Sequence, residues 1–292
     1  MGDIMTVFEM VKYHKQEYPS NIPLRFEEVA AHFDISKVKS ILNYSLHTEY
    51  SYGKRKFDSS LISSFPTLIT AQKDSIPQLW KSERWAEEFA HFVIRLVEVK
   101  SKLSVIEVHP PFDDYTDLNG FIKSYRVFEE YIHNEVPNTE FFIENRFGSI
   151  YHGGRFLMSK IEDIYNLCEY IENERLHLKI ALDIPQVFTA HNANKRLEIL
   201  NLMTDIKNLR DYIGGVHLWG KSRSSTGRKV AHCGDLTSYF EDDMETKKQF
   251  LESLCECFND DIPRKLVLEV NSGNDDLYSI INDLLSVDIR FV

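Results

Sequence analysis

Short β-type runs alternate with helical stripes along most of this chain, and no other feature limits its fold as tightly. The runs are SILNYSLH (40–47), PTLITA (66–71), KLSVIEVH (102–109), TEFFIEN (139–145), LKIALD (178–183), GGVHLW (214–219), KLVLEV (265–270) and DIRFV (288–292). Between them apolar residues recur three or four positions apart, as the face of a helix on a sheet requires. Such stripes are Trp85, Phe89, Phe92, Leu96 and Val99; Phe121, Tyr125, Phe128 and Ile132; Ile161, Ile164, Leu167, Cys168 and Ile171; and Leu197, Leu200, Met203, Ile206 and Leu209. Alternation of this kind implies a parallel sheet, and eight strands in 292 residues predict a closed α/β barrel, (β/α)8, over residues 40–292. No GxGxxG turn supports an open doubly wound sheet instead. The first 39 residues, broken at NIPL (21–24), read as an N-terminal helical extension.

Composition narrows the partners. With 34 basic residues against 45 acidic ones the formal charge is −11, which disfavours indiscriminate binding to nucleic acid or anionic membrane. No apolar run reaches the roughly 18 to 20 residues that a membrane-spanning helix needs. Cys168, Cys233, Cys255 and Cys257 form no CxxC pair and no signal peptide opens the chain, so a reduced, cytoplasmic setting is expected.

In a parallel barrel the side chains at the carboxyl ends of the strands converge on one mouth. Here these are His109, Glu144, Asp183, His217 and Glu269, from five consecutive runs. Taken alone, Glu144 is accounted for by a salt bridge to Arg146. Three buried carboxylates together call for compensating positive charge, which a divalent cation supplies. Two imidazoles with three carboxylates suit zinc, manganese or cobalt better than calcium.

The longest connection, between His217 and Glu269, begins WGKSRSSTGRKVAHCGDL (219–236). Lys221, Arg223, Arg228 and Lys229 stand among Ser and Gly residues, a composition suited to phosphate oxygens. A phosphate-containing substrate is therefore expected, with Gln186 and Asp235 as further contacts. His232 and Asp235 close the loop as candidates for a second metal or for acid and base.

The motifs IEVHPP, IENRFGSIYHGGRF, LDIPQVFTAH and GVHLWGK, followed by LVLEVNS, resemble in order and spacing the endonuclease IV and xylose isomerase-like superfamily of TIM barrels, which includes the family 2 AP endonucleases. The resemblance implies a central divalent metal held by Glu144, Asp183, His217 and Glu269. In the endonuclease branch His109 would serve a neighbouring metal bridged by Glu144, and His232 falls at a third-metal position. The chain departs from that branch where Gln186 replaces a His, Val230 an Asp and, on alignment, Thr70 the second-strand His.

The leading expectation is a metal-dependent phosphodiester hydrolase, a DNA-repair type of activity acting on nucleic acid or a nucleotide-like substrate. Glu269 or Glu144 would orient or deprotonate a water acidified by the cation. An alternative is a sugar or sugar-phosphate isomerase or epimerase, with Glu144 and Glu269 passing a proton between adjacent carbons. A barrel that binds without catalysis is the third reading.

Overall fold

The computed structural model describes residues 4–31, 37–48, 63–97 and 102–292. Its principal strands are β1 (Val7–Lys12), β2 (Phe26–Ala30), β3 (Asn43–His47), β4 (Leu103–Val108), β5 (Glu140–Glu144), β6 (Leu178–Asp183), β7 (Ile213–Leu218), β8 (Arg264–Leu268) and the short β9 (Arg290–Phe291). They hydrogen-bond in the order β8-β7-β6-β5-β4-β3-β2-β1-β9, and a further β8 to β1 pairing closes the first eight into a parallel (β/α)8 barrel. The helices are α1 (Pro66–Thr70), α2 (Glu83–Leu96), α3 (Leu118–Glu135), α4 (Ile161–Glu174), α5 (Ile184–Ala190), α6 (Arg196–Asn208), α7 (Leu236–Tyr239), α8 (Met244–Cys257) and α9 (Asn274–Leu285). No helix among the described residues is long and apolar enough to cross a membrane.

Three expectations about the elements are corrected. Among the described residues of the first 39 there is no helical extension: they supply β1 and β2. Val7, Phe8 and Val11 carry a helix-like spacing, but Glu9 pairs with Lys265 across the β1–β8 register at 3.0 Å, so a polar position that weakens the strand alternation has a structural partner. PTLITA is not a strand but α1. Pro66 occupies its first turn, where a missing N–H costs nothing, and the Glu88 carboxylate accepts the Leu68 amide at 2.8 Å. DIRFV contributes β9, a ninth strand beside β1 and outside the closed set. On α6 the buried face is Ile199, Leu202, Met203 and Ile206, while Leu197 is 70% exposed. Val99 lies outside the described residues.

The chain divides into two compact units, Met1–Glu27 with Leu182–Val292, and Glu28–Ala181. In the second unit α2 and α3 share an aromatic core. Trp80, 1% exposed, has the rings of Trp85, Phe89, Phe121, Tyr125 and Phe128 at centroid distances of 5.4 to 6.0 Å. Its indole N–H donates to the His109 carbonyl at 2.7 Å, tying that core to the end of β4. Strand register in this unit sets Glu107 beside His47 and Ala181 beside Glu144. Side chains alternate, so Phe142 lies on the face of Glu144, where it packs with Val105 and Ala181 as an apolar floor. In the first unit Val267, on the face of Glu269, packs with Val11 and Phe26 in the same way.

Candidate metal centre

His47, His109 and Glu144 end or follow β3, β4 and β5 and are all buried. Their ligand atoms form one triangle. His109 Nε2 is 2.9 Å from His47 Nε2 and 2.9 Å from Glu144 Oε2, and His47 Nε2 is 3.4 Å from the same oxygen. Zinc bonds of about 2.0 to 2.1 Å in a tetrahedral set place donors roughly 3.3 Å apart, so this triangle has the size of three ligands on one ion. Glu144 Oε1 faces away and accepts from Arg146 at 2.8 Å, so the salt bridge anticipated for Glu144 exists alongside the cluster.

Charge points the same way as distance. Burial opposes a positive His47, yet the Glu28 and Glu107 carboxylates, with hydrogen bonds to Glu144 and Glu28, hold its pKa well above the ordinary imidazole value. Glu28 Oε1 lies 3.2 Å from His47 Nδ1. A carboxylate behind the ring leaves Nε2 as the face turned to the cluster and raises its basicity. The pocket is built to hold positive charge at that point, and the donor set fits a divalent cation.

His47 is the candidate site residue that sequence reasoning passed over. It ends a run that was read correctly as a strand, and the strand-end rule that selects His109 selects it equally. Thr70, offered in its place, is an exposed residue of α1 that donates to the Pro66 carbonyl.

The first unit carries a second arrangement. Glu269, 4% exposed, stands between two imidazoles, with His217 Nδ1 at 3.3 Å from one oxygen and His232 Nδ1 at 3.1 Å from the other. Burial raises its pKa, but the hydrogen bonds and charge of His217 and His232 prevail and hold it well below the usual carboxylate range. Asp183 caps α5 and is surrounded by N–H donors. It accepts from the Gln186 amide at 2.9 Å, from the Gln186 side chain at 2.8 Å and from the Trp219 indole at 2.9 Å. The Trp219 ring lies over His232, centroids 4.5 Å apart.

The basic loop is a hairpin, Lys221–Arg223 against Lys229–Ala231. Its base is closely packed, since a Cβ on Gly220 would collide with the Gly234 carbonyl oxygen. Lys229 and Arg223 both pair with Glu241, whose carboxyl they hold below its usual range. Lys221 is turned inward, its ammonium 3.1 Å from Thr189 Oγ1 and 5.3 and 5.0 Å from the ring centres of Trp219 and Tyr239. Burial lowers its pKa, helped by Lys229 and opposed by Asp183. Arg228 is exposed near the tip. Lys221 and Lys229 line a cavity of about 460 Å³ together with Phe188, Thr189, Asn192 and Tyr239. Asp235 caps α7. Burial opposes its ionisation, but the Ser279 hydroxyl and the Ser238 amide bring its pKa below the ordinary value.

Solved structures place this architecture. A D-tagatose 3-epimerase-like protein matches with a TM-score of 0.54 over 96% of this chain and 98% of its own, at 13% identity. A xylose isomerase domain protein from Alicyclobacillus acidocaldarius covers 97% and 98% at 10% identity and TM-score 0.48. A family 2 AP endonuclease from Brucella melitensis covers 92% and 97% at 8% identity and TM-score 0.48. No family model matches the chain, and no curated protein matches it. The fold is a (β/α)8 TIM barrel, shared with the epimerase-like protein, and its buried His and Glu clusters are consistent with a divalent metal site.

Proposed function

We propose that this chain is a divalent-metal-dependent isomerase or epimerase of a small polyhydroxylated carbonyl compound. The observation that carries the reading is the His47, His109 and Glu144 triangle, three neutral-or-anionic donors of one ion's dimensions in a buried pocket. A cation there would be zinc or manganese, and bound it would act as a Lewis acid on a carbonyl or hydroxyl oxygen. In the first unit Glu269, kept ionised by its two imidazoles, is the proposed proton acceptor.

A small substrate is favoured over a nucleic acid by the state of the basic loop. Two of its four cations share Glu241, and Lys221 faces the cavity with its ammonium over the Trp219 and Tyr239 rings. That cavity is of a size for a sugar or sugar phosphate, and Lys221 suits a terminal phosphate. Gln186 orients Asp183, and Asp235 shapes the loop. The epimerase-like protein of the same fold agrees with this reading.

Phosphodiester hydrolysis is the second reading, favoured by His232 meeting Glu269 where the endonuclease resemblance puts a metal ligand. One experiment separates the two. Metal-loaded protein is incubated in D2O with ketoses and their phosphates, and loss of the carbon-bound proton is followed by NMR beside cleavage of abasic-site oligonucleotides. Proton exchange without cleavage supports the isomerase, and cleavage without exchange sinks it.

A further inference from the structure

A second group of two imidazoles and a carboxylate lies outside the candidate centre, in the same unit. Glu129 and His133 are one turn apart on α3, and His177 follows α4 immediately before β6. One ligand atom from each lies within 4.8 Å of the other two. The geometry points to a peripheral binding site for a zinc-type transition cation, with Glu129, His133 and His177 as its three protein ligands and the remaining position open to water.

Several contacts hold the donors in place. Glu129, 8% exposed, accepts the His177 amide N–H at 3.1 Å, so the carboxylate is tied to the backbone of the third donor. The His133 ring stands edge-on to Phe141 at 4.9 Å and to the His177 ring at 4.8 Å. A ligating carboxylate held by a hydrogen bond such as that from the His177 amide is the usual outer shell of a zinc site. Arg126, three residues before Glu129 on α3, is engaged by Glu174 at 2.9 Å. His177 is exposed, so its side chain is free to change rotamer and move its ring nitrogen relative to Glu129 and His133. Imidazole-rich sets of this kind select zinc, copper or nickel over magnesium and calcium.

The test uses the full chain, stripped with chelator, and loaded with zinc. Bound metal after desalting is measured for the parent, His133→Ala and His177→Ala. Each variant should hold one zinc fewer per chain, and equal stoichiometry in all three overturns the site. Since His177 is exposed, its variant keeps the fold, checked by circular dichroism. Copper supplies an independent readout: nitrogen hyperfine lines from two imidazoles should fall to one in either variant, and an unchanged spectrum again refutes the assignment. Neither variant touches the candidate centre, so turnover measured with the central metal loaded should match the parent.

Discussion

Glu144 with His47 and His109, and Glu129 with His133 and His177, are the same three side chains used twice within one unit. The first set is buried at strand ends, its ligand atoms 2.9 to 3.4 Å apart, with Glu28 on the His47 ring and Trp80 on the His109 carbonyl. The second sits on a helix and a loop, spans up to 4.8 Å and has an exposed member. Composition is therefore a poor guide to what a donor set does. Burial removes the water that would otherwise satisfy the donors, so the inner set must carry compensating charge, whereas the outer one can remain hydrated.

The comparison breaks most visibly at Glu144. Glu144→Ala should release the inner cation and lower turnover by about 10³-fold or more, while His177→Ala leaves turnover unchanged; equal losses would mean the two sets are not functionally distinct. Elemental analysis of both proteins checks the metal assignment. Glu269→Gln should retain the inner cation and still lose about 10² to 10⁴-fold in proton exchange, and retained exchange would remove it from the mechanism.

A smaller effect is expected at Glu28, which the outer set lacks an equivalent of in strand-buried form. Glu28→Gln should weaken inner-site metal affinity by about 10 to 100-fold, read by competition with a chromophoric chelator. The pH response of the metal-free chain sharpens the contrast further. His47, with its pKa raised above 6.5, contributes stability that is complete below that value and lost as pH rises through the folded one. Glu269, depressed below 4.5, contributes stability present above that value and lost as pH falls through the folded one. Denaturant midpoints should accordingly peak between pH 4.5 and 6.5, and a flat profile up to pH 9 would contradict the His47 assignment. Smallest of all, zinc should raise the melting temperature by a few degrees through the outer set, an increment absent in His177→Ala.

Much of this was legible from the amino-acid sequence. The runs ending in His109, Glu144, Asp183, His217 and Glu269 are strands or their immediate ends, because buried β-branched and aromatic residues there give an unambiguous signal. The first two strands were not legible. VFEMVK and FEEVA carry Glu9, Lys12, Glu27 and Glu28, and polar groups that find partners in the fold, as Glu9 does in Lys265, look from sequence like an exposed helix face. PTLITA has strand composition, and the carboxylate that satisfies its helical N-terminus, Glu88, comes from the following helix. Misplacing that strand is what hid His47. The cations of the hairpin were visible, but their neutralisation by Glu241 depends on a contact across eighteen residues from Arg223.

The hydrogen bond from Trp80 to the His109 carbonyl gives the chain an optical property of its own. A buried indole whose N–H is bonded to the backbone of a metal donor emits according to the field at that carbonyl. Loading the inner cation should change Trp80 emission more than filling the outer set does, a difference read against Trp80→Phe because Trp85 and Trp219 emit as well.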